Sequence, residues 1–350
     1  MANCHNLFQD YNGKIKLSDA KRIELITVRD DLRARIINGY NLFSHALAQY
    51  HRIEFQSQGS FVMDTIIVPI HDDYDLDDGV YFIGNISKEQ RPAPAVFHEY
   101  VIRAIDHGYD DIEKIVDKET CVRVIYKKGF HVDIPIYYAD NLDHPDLANK
   151  ALGWILSNPI EFIAWFEDKI QSGFKKSYLL EAAMYDEYRR WITDIRKQDH
   201  QLRRIVRYLK SWGDLRREEM PCGLIMTILA TNHYHPHERD DIALKETLVN
   251  MQASLQRKFE CTRPTTPKGE DLLGNYKNKD AFMNYIGQFI ENAKKALEEP
   301  NQKIACGHWQ KSLGDRFSCE NSINSTSFNI GSAGLAAGAA SSRPWGKLVY

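Results

Sequence analysis

The chain has 350 residues, 43% hydrophobic and 27% charged, with a formal net charge of −3, enough for one large or two ordinary cores. The missing basic excess speaks against a protein that grips long nucleic acids, whose affinity comes largely from phosphate neutralisation. No apolar h-region follows Met1 and no run approaches the ~18 residues of a membrane span, so a cytoplasmic protein that avoids membranes is expected.

In chain order, one long helix is predicted from about Leu17 to Ala48, with Ser18 as N-cap and Leu25, Leu32 and Ile36 at helical spacing. Strands rich in Val, Ile, Tyr and Phe are expected at Ile53–Gln58, Thr65–Pro69, Asp75–Phe82, Cys121–Tyr126 and His131–Tyr138. Helix is expected between them at Phe97–Gly108 and Asp111–Lys118, which gives an α/β sheet over residues 1–150. The stretch 151–319 reads as helical, with runs at Asn158–Lys169, Tyr178–Gln198, His200–Trp212, Pro221–Ala230, Ile242–Phe259 and Lys279–Glu298. From residue 320 to 350 the chain turns to Ser, Asn, Gly and Ala, which cannot bury enough apolar surface to order itself, so a flexible tail is expected.

Six cysteines, Cys4, Cys121, Cys222, Cys261, Cys306 and Cys319, show no CxxC spacing, and free thiols are the expectation. His233, His235, His237 and His308 match no common zinc spacing with them and read as polar loop residues.

The chemistry is concentrated in Gln58-Gly59-Ser60-Phe61, followed some way on by Asp75-Leu76-Asp77-Asp78-Gly79. Strand side chains alternate, so Asp75 and Asp77 share a face and Asp78 takes the other. Two carboxylates on one face repel unless a cation lies between them, and Mg²⁺ takes such hard oxygens together with substrate phosphates. Asp133, within Phe130-His131-Val132-Asp133-Ile134-Pro135-Ile136, would be costly to bury unpaired and completes a set able to hold two metals ~3.5–4 Å apart. Gly59 lets the backbone approach a triphosphate, and its amide with the Ser60 hydroxyl can cradle phosphates; no GxxxxGK[ST] loop is present. A lone Gly-Ser or a lone DxD carries little weight, since acidic turns are commonly solvated loops. Their order along the chain with a third, strand-embedded Asp is what favours a catalytic reading.

These segments closely resemble the bacterial cyclic GMP-AMP synthase-like nucleotidyltransferases (CD-NTases), and the similarity continues through Ser157-Asn158-Pro159, Leu202–Trp212, Pro221–Leu224, Arg263-Pro264 and Trp309–Phe317. The resemblance spans most of residues 17–318 and not the tail. It implies an α/β (α+β) fold: a polymerase-β-like nucleotidyltransferase sheet with a long N-terminal helix, joined to a helical oligoadenylate-synthase-like domain. It also implies an activity, the joining of NTPs, purines favoured, into a cyclic di- or trinucleotide with loss of pyrophosphate. Cyclic di-GMP or cyclic GMP-AMP is the default product. In the family such products are alarm signals in anti-phage defence (CBASS) that activate a separate effector.

By resemblance, Asp75 and Asp77 are the pair that binds two Mg²⁺ (or Mn²⁺) ions and Asp133 is the third carboxylate and the candidate to take the ribose proton. Gln58, Gly59, Ser60 and Phe61 are the phosphate loop, and Arg123 and Lys210 are basic positions near the nucleotides. Cys222 stands where the family commonly has Ser, and a thiol is the weaker donor. Asp271 is a base- or ribose-side contact by a weaker local match. Lys210 also ends an amphipathic helix with Arg203, Arg204 and Arg207, where cations complement the helix dipole. Two other functions remain open at this point: a linear oligoadenylate or RNA-end transferase, and an inactive scaffold acting through its tail. Some family members are conjugated through their C-terminus to targets, but this chain ends in Lys347-Leu348-Val349-Tyr350 rather than a small residue.

Overall fold

The computed structural model describes residues 1–43, 52–70, 74–105, 111–171 and 198–323. The expected helix at Tyr178–Gln198 and the tail at 320–350 therefore fall almost entirely outside the described residues, the tail from residue 324 onward. The elements are α1 (His5–Ile15), α2 (Asp19–Phe43), β1 (Arg52–Gln58), α3 (Gly59–Val62), β2 (Tyr74–Ile83), α4 (Pro94–Ile105), β3 (Ile112–Asp117), β4 (Cys121–Tyr126), β5 (Phe130–Ala139), β6 (Asp146–Asn149) and β7 (Gly153–Leu156). Then follow α5 (Pro159–Ile170), α6 (Gln201–Asp214), α7 (Gly223–His233), α8 (Asp240–Arg257), α9 (Lys279–Glu298) and α10 (Gln302–Leu313).

The sheet runs β1-β2-β5-β4-β3, with the β6–β7 hairpin attached to β5. β2 pairs antiparallel with β1 and parallel with β5, so it lies inside the sheet and its backbone is held on both sides. Leu76, Val80 and Phe82 from β2 and Val132, Ile134 and Ile136 from β5 enter one core, which α2 and α4 cover with Leu25, Leu32, Ile36, Phe97 and Val101. At about 25 cal/mol per Å² of apolar surface removed from water, such a layer holds the catalytic strands in register. In the second core α6 buries Leu202, Ile205, Val206, Leu209 and Trp212, the stripe its sequence predicts. Asn158 caps α5 by accepting from the Glu161 amide at 3.0 Å, with Pro159 at the first helical position.

Several expectations are corrected. Residues 65–69 form no strand: Asp64 adopts φ +52, and the amides of Thr65 and Ile66 donate to the Ser60 carbonyl, so the donors a ladder needs are used in a turn. The expected helix at Asp111–Lys118 is instead the strand β3. Ile112, Ile115 and Val116 suit either period, and the antiparallel partner β4 decides. The short helix α1, the hairpin β6–β7 and helix α10 were not anticipated. Residues 2–15 also join the helical core rather than the sheet, with Phe8 and Tyr11 packed against Tyr208 and Phe317. The division at residue 150 thus does not coincide with the division of the two cores.

Cys306 and Cys319 are a disulfide pair, not free thiols. The chain turns back after α10 and brings their Cα atoms to 5.7 Å, a proximity that linear spacing does not reveal. Cys4, Cys121, Cys222 and Cys261 are free. Among the described residues no helix is long and apolar enough to cross a membrane.

Candidate active site

The strand register brings the acidic groups together. Asp75 on β2 lies opposite His131 on β5, Asp77 lies opposite Asp133, and Arg123 on β4 lies across from Asp133 on its other side. Alternation sends Asp75 and Asp77 to the open face, while Asp78 is buried on the other. There it receives a fork from Arg33 (2.7 and 2.5 Å) and the Ser57 hydroxyl (2.7 Å). Asp78 is therefore a structural anchor to α2.

His131 Nε2 lies 2.9 Å from Asp75 Oδ1, and Arg123 binds both oxygens of Asp133 at 2.5 and 2.6 Å. Asp133 is thus buried but paired, as the cost of burying a lone carboxylate requires, and the partner comes from the adjacent strand. Burial tends to raise Asp75, but the His131 hydrogen bond and the charges of His131, Arg123 and Lys118 outweigh it and hold the carboxyl below its ordinary range. Asp77 is pushed well above that range, first by burial and then by the charges of Asp75 and Asp133. Repulsion among three carboxylates is the electrostatic signature of a cation site.

The phosphate-loop residues meet this cluster. Gln58 is extended, Gly59 turns the chain at φ +68, and α3 begins at once. A Cβ on Gly59 would lie 2.1 Å from Asp77 Oδ2, so only glycine admits that carboxylate. Lys210 on α6 reaches over with Nζ 3.3 Å from the Thr65 carbonyl, and burial depresses its pKa to about 8 despite nearby Asp77 and Asp75. The other α6 cations are used structurally: Arg203 pairs with Glu167, Arg204 with Asp240 and Arg207 with Asp199.

Two cavities of about 430 and 400 Å³ meet here, sharing Ser60, Asp75, Lys210, Cys222 and Gly223. The first extends past Gln58, Asp77, Tyr137, Asn158, Arg263 and Thr266, and the second past Tyr74, Arg123, His131, Asp214 and Arg217. Both volumes suit small-molecule ligands. Exposed Cys222 caps α7 at their junction, without a side-chain hydrogen bond to the helix.

Asp133 joins the carboxylate cluster without lining either cavity, and two sequence-based site residues reach neither the cluster nor the cleft. Phe61 is 1% exposed in the sheet core with the Arg22 guanidinium over its ring, because α3 turns its side chain away from the loop's open side. Asp271 lines neither cavity; its Oδ1 accepts from the amides of Cys261 and Leu273 and holds their loop together. Conversely, His131 had no assigned role, although its i, i+2 spacing from Asp133 already puts it on the same strand face. Tyr137, Thr265 and Thr266 carried no sequence signal.

The donor set fits a divalent metal. Ligand atoms of Asp75, His131 and Asp133 lie within 4.8 Å of one another, and Asp77 stands beside them with its carboxylate against Gly59. Carboxylate oxygens in this number suit Mg²⁺ or Mn²⁺.

Comparison with known proteins agrees with this geometry. Residues 53–137 match the family model for the nucleotidyltransferase domain of cyclic GMP-AMP synthase DncV-like proteins. The chain is 26% identical over 310 residues to a c-di-GMP synthase of Roseivirga ehrenbergii, covering 80% of this chain and 78% of that one. It is 25% identical over 191 residues to a cyclic GMP-AMP synthase of Escherichia coli, covering 47% and 43% of the two chains. The fold matches Vibrio cholerae DncV in its 3'-deoxy ATP-bound form with a TM-score of 0.69 at 16% identity, covering 90% of this chain and 96% of that one. It also matches the Bradyrhizobium diazoefficiens CD-NTase CdnG in complex with GTP, with a TM-score of 0.66 at 12% identity and 89% and 95% coverage. With a polymerase-β-like sheet, and the Gly-Ser loop and the aspartate cluster on it, residues 53–137 form a DncV-like nucleotidyltransferase domain, and the chain is a nucleotidyltransferase similar to the CD-NTases.

Proposed function

We propose that this enzyme joins NTPs into a cyclic di- or trinucleotide with release of pyrophosphate. The observation that carries the reading is the pair of cavities meeting at Ser60, Asp75 and Lys210, since a ring needs two nucleotides side by side at one reacting centre. The relatives named as c-di-GMP and cyclic GMP-AMP synthases favour a purine product.

In this reading a ribose hydroxyl oxygen of one nucleotide attacks the α-phosphorus of the other. The new P–O bond forms as the bond to the β-phosphate bridge breaks, and pyrophosphate leaves. Asp75, Asp77 and Asp133 would hold two Mg²⁺ ions, which supply charge neutralisation and acidify the attacking hydroxyl. The Gly59 amide and Ser60 hydroxyl cradle the leaving phosphates, and Lys210 and Arg123 balance their charge. Asp133 takes the hydroxyl proton on a carboxylate oxygen. Cys222, at the cavity junction, offers only a weak thiol contact. The linear product then rebinds reversed across the two cavities, and a second attack closes the ring. By family resemblance the product serves anti-phage signalling (CBASS) through a separate effector.

The test is incubation with all four NTPs and Mg²⁺ or Mn²⁺, with mass spectrometry and phosphatase treatment of the product. A phosphatase-resistant cyclic product is expected, and Asp75→Asn with Asp77→Asn should fold but make none. Linear chains bearing a terminal phosphate would favour a transferase that does not cyclise. Cyclic product from the double variant would sink the carboxylate assignment.

A further inference from the structure

Asp133 presents a difficulty for a metal ligand, because both of its oxygens already receive hydrogen bonds. Arg123 Nε lies 2.5 Å from Oδ1 and a terminal nitrogen 2.6 Å from Oδ2, and that nitrogen is 3.7 Å from Asp75 Oδ1. The guanidinium thus stands between two of the carboxylates that would share a metal ion. It cannot release Asp133 by losing a proton, since arginine stays charged at every physiological pH. It can release it only by moving to another anion.

The second cavity supplies that anion's place. Arg123 is partly exposed and lines the second cavity, next to Asp75 and Ser60 where the nucleotide phosphates of the reading above would sit. A planar fork that fits a carboxylate fits a phosphate equally well. We propose that Arg123 is an internal cation that closes the metal centre in the substrate-free enzyme, and that the nucleotide's phosphates open it by drawing the guanidinium off Asp133. Metal and nucleotide binding are then coupled, each raising the affinity for the other by the same factor. The exchange also keeps charge balanced: a divalent cation replaces a guanidinium among the aspartates, and the guanidinium follows the incoming negative charge. Arg123 thus holds Asp133 in the free enzyme and a nucleotide phosphate in the loaded one. The inference rests on the nucleotidyl-transfer reading for the identity of the anion.

The experiment measures Mn²⁺ binding to nucleotide-free full-length protein by electron paramagnetic resonance of the free ion, for wild type, Arg123→Gln and Lys118→Gln. Lys118 Nζ is 3.9 Å from Asp133, so its removal deletes the same charge while leaving the Arg123 fork in place. Arg123→Gln should bind Mn²⁺ about tenfold more tightly than wild type and should raise the KM for NTP, because the phosphates lose the guanidinium. Lys118→Gln should change Mn²⁺ affinity much less. Mn²⁺ binding no tighter in Arg123→Gln, or an equal gain in Lys118→Gln, overturns the proposal. Arg123→Lys, which keeps the charge but loses the fork, carries the test if the glutamine variant does not fold: a gain of a few-fold supports the exchange, and no gain overturns it. A wild type that makes no product from any NTP mixture would instead sink the functional reading and leave the metal measurement to stand by itself.

Discussion

Replacing Gly59 by alanine separates two costs that the structure lets us assign in advance. Gly59 lies at φ +68, and a side chain there costs roughly 1–2 kcal/mol of backbone strain. Reduced freedom of the unfolded chain returns about 0.4–1 kcal/mol of this. The added Cβ would stand 2.1 Å from Asp77 Oδ2, whereas ordinary contact begins at 3.4 Å, so the carboxylate must retreat by more than an ångström. A displacement of that size at a reacting centre costs on the order of 10²-fold in rate. Gly153, at φ +80 at the start of β7 with nothing within 4 Å of its would-be Cβ, carries the strain without the collision. Pyrophosphate release and urea denaturation should therefore show both alanine variants losing about 1 kcal/mol of stability. Only Gly59→Ala should lose about two orders of magnitude in kcat. A folded Gly59→Ala within a few-fold of wild-type rate, or an equal loss in Gly153→Ala, would refute the placement of Asp77 against the loop.

Asp240 is fully buried and receives two bonds from Arg204 (2.7 and 2.8 Å) and one from Tyr208 (2.8 Å). Burial alone would raise its carboxyl, but these partners win and hold it below the ordinary range. A depressed pKa contributes stability that is present above about pH 4 and lost as pH falls through the folded value. Asp240→Asn should cost about 3 kcal/mol near neutral pH in denaturant titrations and flatten the loss of stability below pH 4. An unchanged acid limb would contradict this. Cys306→Ser opens the loop closed across 13 positions and should lower stability by about 3 kcal/mol without changing kcat, since neither Cys306 nor Cys319 lines the cavities. A reducing agent should reproduce the loss in wild type and leave the serine variant unmoved.

The active-site face of β2 could be read directly. Alternation places Asp75 with Asp77 and turns Asp78 away whatever surrounds them, and Asp78 does lie under Arg33 on the far side. The stripe of α6 and the start of α5 at Asn158 were equally plain, because helical period and helix-start chemistry are local properties. Phe61 was misread for the complementary reason. It neighbours the phosphate loop in sequence, but a single turn of α3 sends it into the core.

What the sequence determined by itself was therefore local: which residues share a strand face, which stripe a helix buries, and which carboxylates accompany a Gly-Ser turn. Pairing between distant segments was decided only in three dimensions. Ile112–Asp117 became a strand because β4 was there to receive it, and Cys306 found Cys319 because the chain doubled back after α10. Asp133, which the sequence presents as a bare carboxylate, gained a guanidinium because antiparallel register sets Arg123 beside it. Side-chain period repeats over two to four residues and is written in the chain. Register and long-range closure depend on the total energy of packing many segments at once, and no single segment carries that information.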